Sequence, residues 1–393
     1  MSAIETPSVV LDEQRLVRNI EWMQSLATSH NVTLRPHVKT HKTREIAAMQ
    51  LAAGACGLTV SKPSEALEFL RAGIRGLKSV TLAYPVVQTD KIRQVLQVAQ
   101  DMDVELLLTI DSVQGLEAAE KAATATGCVV KLLLHIDVGY HRVGIEHDEP
   151  LLFQLAQRMD KSERIEFCGL LSHAGQAYQC MSVAECAHVA EAERQVMVEI
   201  KHKLETSGIP VAMVSVGSTL TEPARRDFTG ITELRPGNYV FLDRTPVRMG
   251  LFSMQQVALT VLVTVVSSNK YNFILDAGSK VLSMDLARSA GAFGSTGYGL
   301  AFYEKDFPRV VQEPMQHKTR LADGHALLCF VVTRLSEEHG WVQQVDGIPS
   351  PAIGTRLVIV PNHSCVVANL TNAFYVQSDT IKTWTLLSRG CTH

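Results

Sequence analysis

The sequence predicts an α/β fold: a (β/α)8 barrel over residues 1–248, followed by a mainly β domain over residues 249–393. Three observations lead there. The chain has 393 residues, beyond the ~250–300 at which one hydrophobic core stops growing. Its first half alternates short, continuous apolar runs with amphipathic stretches, the pattern of a parallel sheet covered by helices. After about Met249 helical periodicity becomes scarce, and β-rich runs separated by turn signals take over.

Residues 8–11 read as a strand. Asp12 is placed to cap a helix reaching about residue 29, with Leu16, Ile20 and Met23 on one face. Strands are predicted at 32–35 and 56–60. Helices at 43–53 and 64–72 end at Gly54 and Gly73. The alternation continues with strands near 79–83, 105–110, 130–136, 166–172, 212–216 and 231–235. Helices near 89–99, 113–126 and 184–206 lie between them. About eight such units favour a closed barrel over an open doubly wound sheet. No Gly-x-Gly-x-x-Gly follows the first strand, and no Walker-type loop occurs. In the second half, strands are predicted at 257–267, 271–275, 326–333, 355–360 and 373–377. The glycine-rich stretch 291–299 reads as a connecting loop, with a lid over the site as the second reading.

Hydrophobic residues make up 46% of the chain and charged residues 20%, with a formal net charge of −3. That balance gives no electrostatic reason to bind nucleic acid or anionic lipid, and no run is long enough to span a membrane. The first residues lack the basic and apolar regions of a signal peptide. Eight cysteines occur without a Cys-x-x-Cys pair, which points to a reducing compartment, the cytoplasm, rather than to a disulfide framework.

Several stretches carry chemistry. Arg35-Pro-His-Val-Lys-Thr-His-Lys42 follows a predicted barrel strand directly, where barrel enzymes place their active sites. Arg35, His37, His41 and Lys42 would add positive charge around Lys39, and neighbouring cations with partial burial lower a lysine pKa, freeing the amine for Schiff-base chemistry. A solvated basic loop is the other reading. In Pro361-Asn-His-Ser-Cys365, an extended chain would turn His363 and Cys365 to one side. Imidazole and thiolate together suit zinc, and simple packing is the alternative. Within His135-Ile-Asp-Val-Gly-Tyr-His-Arg-Val-Gly144, Arg142 is either a pin for an anionic cofactor oxygen or a structural ion-pair partner. In His173-Ala-Gly-Gln-Ala-Tyr178, Tyr178 either supports a cofactor ring or finds a backbone partner. Val216-Gly-Ser-Thr219 and Arg235-Pro-Gly-Asn-Tyr239 end the last two predicted barrel strands. Their glycines and hydroxyls suit a phosphate.

These strings resemble the D-serine dehydratase and D-threonine aldolase family, fold-type III pyridoxal-phosphate enzymes related to alanine racemase by their barrel. The resemblance covers nearly the whole chain. It includes Thr6-Pro-Ser-Val-Val-Leu-Asp12, the Lys39 string, Ala52-Ala-Gly-Ala55, Asp276-Ala-Gly-Ser-Lys280, Leu335-Ser-Glu-Glu-His-Gly340 and Pro361–Cys365. It implies that Lys39 holds pyridoxal 5'-phosphate as a Schiff base, beside Arg142 and Tyr178. It implies that Gly217, Ser218 and Thr219, with Gly237 and Asn238, cradle the phosphate. His363 and Cys365 match the metal pair. Cysteine at the second position resembles the zinc-dependent dehydratases, whereas aspartate with manganese or magnesium is the aldolase pattern. The expected reaction is conversion of a D-β-hydroxy amino acid such as D-serine to a 2-oxo acid and ammonia, with Lys39 as general base. In the aldolase alternative, His37 or a bound water takes the β-hydroxyl proton and the Cα–Cβ bond breaks. A racemase without metal chemistry and a non-catalytic pyridoxal-phosphate carrier are further alternatives. A homodimer acting on a small D-amino acid is the expected assembly.

Overall fold

The computed structural model describes residues 4–287, 296–312, 329–344 and 349–393. Eight parallel strands form the first sheet: Thr33–Leu34, Leu58–Val60, Ser79–Pro85, Glu105–Ile110, Val130–Asp137, Ile165–Ser172, Met213–Val216 and Glu233–Leu234. From Leu58–Val60 onward each pairs with the next in this order, and Glu233–Leu234 pairs back onto Thr33–Leu34. Between the first two strands the ring is carried by Cys56 N–H to Leu34 O at 2.9 Å and Thr59 N–H to Pro36 O at 2.8 Å. The barrel predicted from the alternation is therefore present. Its strands are continuous apolar runs because both faces are covered. Leu107, Leu133 and Leu171 pack together as one small cluster, while Leu106, Leu108, Leu132 and Leu134 belong to the large core.

The covering helices follow local rules. Asp12 caps Glu13–Ser29 by accepting the Arg15 N–H at 2.9 Å, and Leu16, Ile20 and Met23 are buried as predicted. Ser182 caps the long helix Val183–Thr206 in the same way. Gly54 ends Arg44–Ala53 in a left-handed conformation (φ +118°) that a side chain would strain.

In the second sheet, six antiparallel strands close on themselves. In pairing order they are Asn272–Leu275, Gly340–Gln343, Cys329–Leu335, Gly299–Tyr303, Arg356–Pro361 and Leu259–Ser268. Ser8–Asp12, Ala373–Gln377 and Ile381–Thr385 extend it beyond Leu259–Ser268. Here the linear division at residue 248 needs correcting for the first strand. Ser8–Asp12 pairs antiparallel with Leu259–Ser268 and parallel with Ala373–Gln377. An apolar run shows that a strand exists, but its pairing is settled by distant sequence. Of the glycine-rich connection, residues 291–295 lie outside the described residues.

The two units meet where the site lies. The helix Ser364–Leu370 rests on the short turn Val38–Thr40, and Leu387 N–H donates to Lys42 O at 2.7 Å. Lys42 itself is buried, and its Nζ donates to Glu65 Oε1 at 2.7 Å and to Ser388 O at 3.3 Å. Glu65 Oε2 also accepts the Ser61 N–H at 2.7 Å. Glu65→Ala would leave a buried ammonium uncompensated, so it should cost about 3–5 kcal/mol. Urea unfolding of the two proteins measures this difference. A cost under about 1 kcal/mol, the range of exposed pairs, would contradict it.

Candidate active site

The loops after five barrel strands bring the predicted residues to one end of the barrel. They enclose a cavity of about 490 Å3, within the usual range for small-molecule sites. His37, Lys39, Arg142, Tyr178, Gly217, Ser218, Thr219, Gly237, Asn238, His363 and Cys365 all line it. So do His135, His173, Thr40 and Arg235.

Lys39 sits in the turn Val38–Thr40, which His37 begins by accepting the Lys39 N–H on Nδ1 at 3.4 Å. The lysine Nζ has no hydrogen-bond partner among the described residues. Burial is the largest cause that lowers its pKa, with Arg142 and Arg235 adding to it, while Cys365 and Glu65 oppose. The source of positive charge thus differs from the expectation. Arg35 is turned away and pairs with Glu233 at 2.6 Å, and Lys42 is committed to Glu65. His37 and His41 are held neutral: burial pushes both down, His41 to about 3. A basic string does not show which cations the barrel turns inward; Arg142 and Arg235, from later barrel loops, are the ones it brings to the lysine.

His41 supplies a pH prediction. Its Nδ1 accepts the Thr43 N–H at 3.1 Å, so its Nε2–H donates to Gln50 Oε1 at 3.2 Å. The folded pKa of about 3 lies below the ordinary 6.5, so the unfolded chain binds the proton more readily. Its contribution is complete above the unfolded value and is lost as pH falls from there towards 3. Between pH 7 and pH 5 this amounts to about 2 kcal/mol, from ~1.36 kcal/mol per unit. His41→Gln should reduce the loss of stability over that interval by this amount in urea unfolding. Equal losses in the two proteins would count against a neutral His41.

The far side of the cavity suits a phosphate. Gly217 has φ +119°, and a Cβ there would meet Glu222 Oε1 at 2.9 Å. At Gly237 a Cβ would meet Thr40 Oγ1 at 2.9 Å. Thr219 Oγ1 is buried yet lacks a hydrogen-bond partner among the described residues, an expensive arrangement unless a ligand supplies one. Arg142 stacks on Tyr140, its guanidinium 5.0 Å from the ring centre, and has no carboxylate partner among the described residues. Asn238 differs from its neighbours: its side-chain amide donates to Asp243 Oδ2 at 2.6 Å and accepts the Ser364 hydroxyl. Its side chain is thus engaged in holding the protein's own loops together.

His363 and Cys365 meet at the same cavity, but not on an extended chain as predicted. The strand ends at Pro361, His363 is the residue just before the helix Ser364–Leu370, and Cys365 lies in that helix's first turn. Cys365 Sγ is 3.1 Å from Thr40 Oγ1, and the Tyr178 ring stands edge-on to His363 at 5.6 Å. Burial disfavours charge on both groups, yet each stabilises the other's ion. The Cys365 thiol is lowered beside His363, and the imidazole is held well above its ordinary range by Cys365 and Asp243. A soft thiolate with imidazole is a donor set for a transition metal, and two protein ligands leave positions for substrate or water. The Tyr178 hydroxyl has no hydrogen-bond partner among the described residues, and burial raises its pKa, so it stays protonated.

Known proteins resemble this chain over nearly its whole length. The family profile described as "Alanine racemase, N-terminal domain" matches residues 11–245, and "Putative serine dehydratase domain" matches residues 258–377. The D-threo-3-hydroxyaspartate dehydratase of Delftia sp. (strain HT23) is 33% identical, over 97% of each chain. The chain belongs to this family. The solved structure of that dehydratase superimposes with a TM-score of 0.84, covering 98% of this chain and 97% of the other. A D-threonine aldolase of Arthrobacter sp is 28% identical over 99% of this chain and 94% of its own. A D-serine dehydratase of Dictyostelium discoideum is 26% identical over 95% and 93%. This D-serine dehydratase and D-threonine aldolase family therefore holds both dehydratases and aldolases on the alanine-racemase fold. No helix among the described residues is long and apolar enough to cross a membrane.

Two features of the site are absent from the sequence reading. Arg235 was visible only as the first residue of a glycine-containing loop. Asp243 belongs to no motif at all.

Proposed function

We propose that this protein is a pyridoxal-phosphate- and zinc-dependent dehydratase that converts a D-β-hydroxy amino acid, such as D-serine, to a 2-oxo acid and ammonia. The observation that carries this reading is that Lys39 and the His363–Cys365 pair line one cavity. The cofactor fits it. An unpaired lysine amine stands on one side, and the buried, partnerless Thr219 hydroxyl and close-approach Gly217 stand on the other. The metal fits the thiolate–imidazole pair. Support for a metal also comes from the Delftia dehydratase, of which a variant has been solved in a metal-free form. The solved variants of that enzyme replace a cysteine and a histidine two positions apart, the spacing of His363 and Cys365.

Bound pyridoxal phosphate would supply an electron sink for charge at the substrate Cα. A zinc ion on His363 and Cys365 would supply a Lewis acid for the β-hydroxyl. The residues do the rest. Lys39 Nζ would hold the cofactor and, once the substrate amine has taken its place, the freed neutral amine would take the Cα proton. Burial and two arginines favour that neutral form. Thr219, with the backbone around Gly217, Ser218, Gly237 and Asn238, binds the phosphate; Arg142 and Tyr178 flank the cofactor.

The aldolase reading has support from the Arthrobacter relative. It requires a base for the β-hydroxyl proton. His37 accepts the Lys39 N–H on Nδ1, so in its neutral form Nε2 carries the proton and acts as a donor. That leaves the step to a water and favours dehydration. Incubation with D-threonine, pyridoxal phosphate and zinc separates the two. 2-Oxobutyrate with ammonia is the expected result; glycine with acetaldehyde would establish the aldolase instead. Racemisation that persists after chelation would remove the metal from the scheme.

A further inference from the structure

Asp243 lies between the barrel loops and the β domain and is fully buried. Its Oδ2 accepts the Asn238 Nδ2–H at 2.6 Å and the Ser364 N–H at 2.9 Å, and lies 3.4 Å from His363 Nδ1. Its Oδ1 accepts the Thr245 N–H at 2.9 Å, which caps the short helix Arg244–Arg248. The Ser364 hydroxyl donates to Asn238 Oδ1 and closes a ring of buried polar groups. The residue before Asp243 is Leu242, fully buried at φ +54°. A left-handed conformation in a non-glycine residue persists where surrounding contacts over-determine it.

We propose that Asp243 is a positioning residue for the metal-binding histidine. It accepts the His363 Nδ1–H, fixes the tautomer, and leaves Nε2 to face the cavity as the ligand atom. Its other hydrogen bonds hold the turn 363–365 so that imidazole and thiolate keep one geometry. Metal-binding histidines depend on such partners, and their loss typically lowers metal affinity about 10–100-fold. The proposal rests on the reading of His363 as a metal ligand.

The test compares zinc affinity, by competition with a chelating dye, in cofactor-loaded wild type, D243N and H363A. D243N should bind zinc about 10–100-fold more weakly, and its cobalt-loaded form should show altered ligand-field bands. The amount of cofactor trapped on Lys39 by borohydride should be unchanged. Wild-type zinc affinity with an unchanged cobalt spectrum in D243N would overturn the role of Asp243. Wild-type zinc affinity in H363A would overturn the metal assignment itself. Should D243N fail to fold, nitrogen NMR of histidine-labelled, zinc-loaded wild type gives the same decision. His363 is expected with Nδ1 protonated and Nε2 metal-bound; the reverse pattern refutes the proposal.

Discussion

Lys39→Ala should abolish turnover, by about 10^4-fold or more. General-base catalysis alone contributes about 10²–10⁴-fold, and the same substitution removes the covalent attachment of the cofactor. The amine has no hydrogen-bond partner among the described residues and is lowered by burial together with Arg142 and Arg235. Of the imidazoles beside it, His37 carries its proton on the nitrogen left free by the Lys39 N–H, and burial with the nearby cations holds the His173 pKa well below its ordinary value, which makes it a weak base. The phosphate cradle remains in the variant, so the cofactor should still bind, but reversibly. Borohydride reduction followed by peptide mass analysis should find the cofactor on Lys39 in the wild type and on no residue in the variant. Turnover within tenfold of wild type, or a cofactor adduct on another lysine, would rule out this role for Lys39.

The parts of the site written in contiguous strings were legible in the sequence. Lys39 follows a strand immediately, Gly217–Thr219 ends another, and His363 and Cys365 stand two apart. Local chain direction then delivers Lys39 and Gly217–Thr219 to the same end of the barrel, because parallel strands share their C-terminal face, while His363 and Cys365 reach it from the β domain. What could not be read depends on chain segments far apart in sequence. Asp243 joins Asn238 to residues more than a hundred positions later. No spacing rule marks such a residue, and a lone buried aspartate after an apolar run resembles any helix cap. Arg35 and Arg235 show the same limit. Both are basic residues at strand ends, yet one pairs with Glu233 and the other lines the cavity. Strand Ser8–Asp12 was recognisable as a strand, but not as a member of the second sheet, because its partners lie about 250 and 365 residues away in the chain.

Removing the metal should stop the reaction without releasing the cofactor. His363 and Cys365 reach the cavity from the β domain, whereas Lys39 and the phosphate cradle come from barrel loops. On the proposed reading, metal and cofactor would therefore be held by separate parts of the chain. Lewis-acid assistance to a leaving hydroxyl is worth several kcal/mol, and each ~1.36 kcal/mol is tenfold in rate. Chelation, or Cys365→Ala, should lower kcat by about 10²–10³-fold while borohydride-trappable cofactor stays constant. The thiolate also predicts which ion restores activity. Cys365 is lowered beside the His363 imidazole and Lys39, so it releases its proton to a metal readily, and a soft sulfur donor favours zinc over magnesium. Zinc should therefore reactivate the chelated protein where magnesium does not. Replacing Cys365 by aspartate should narrow that preference, because a carboxylate accepts the harder ions. Equal recovery with zinc and magnesium in the wild type would mean that the thiolate is not a ligand. Unchanged kcat after chelation would place the leaving-group chemistry elsewhere, with Tyr178, the remaining protonated group against His363, as the first residue to test.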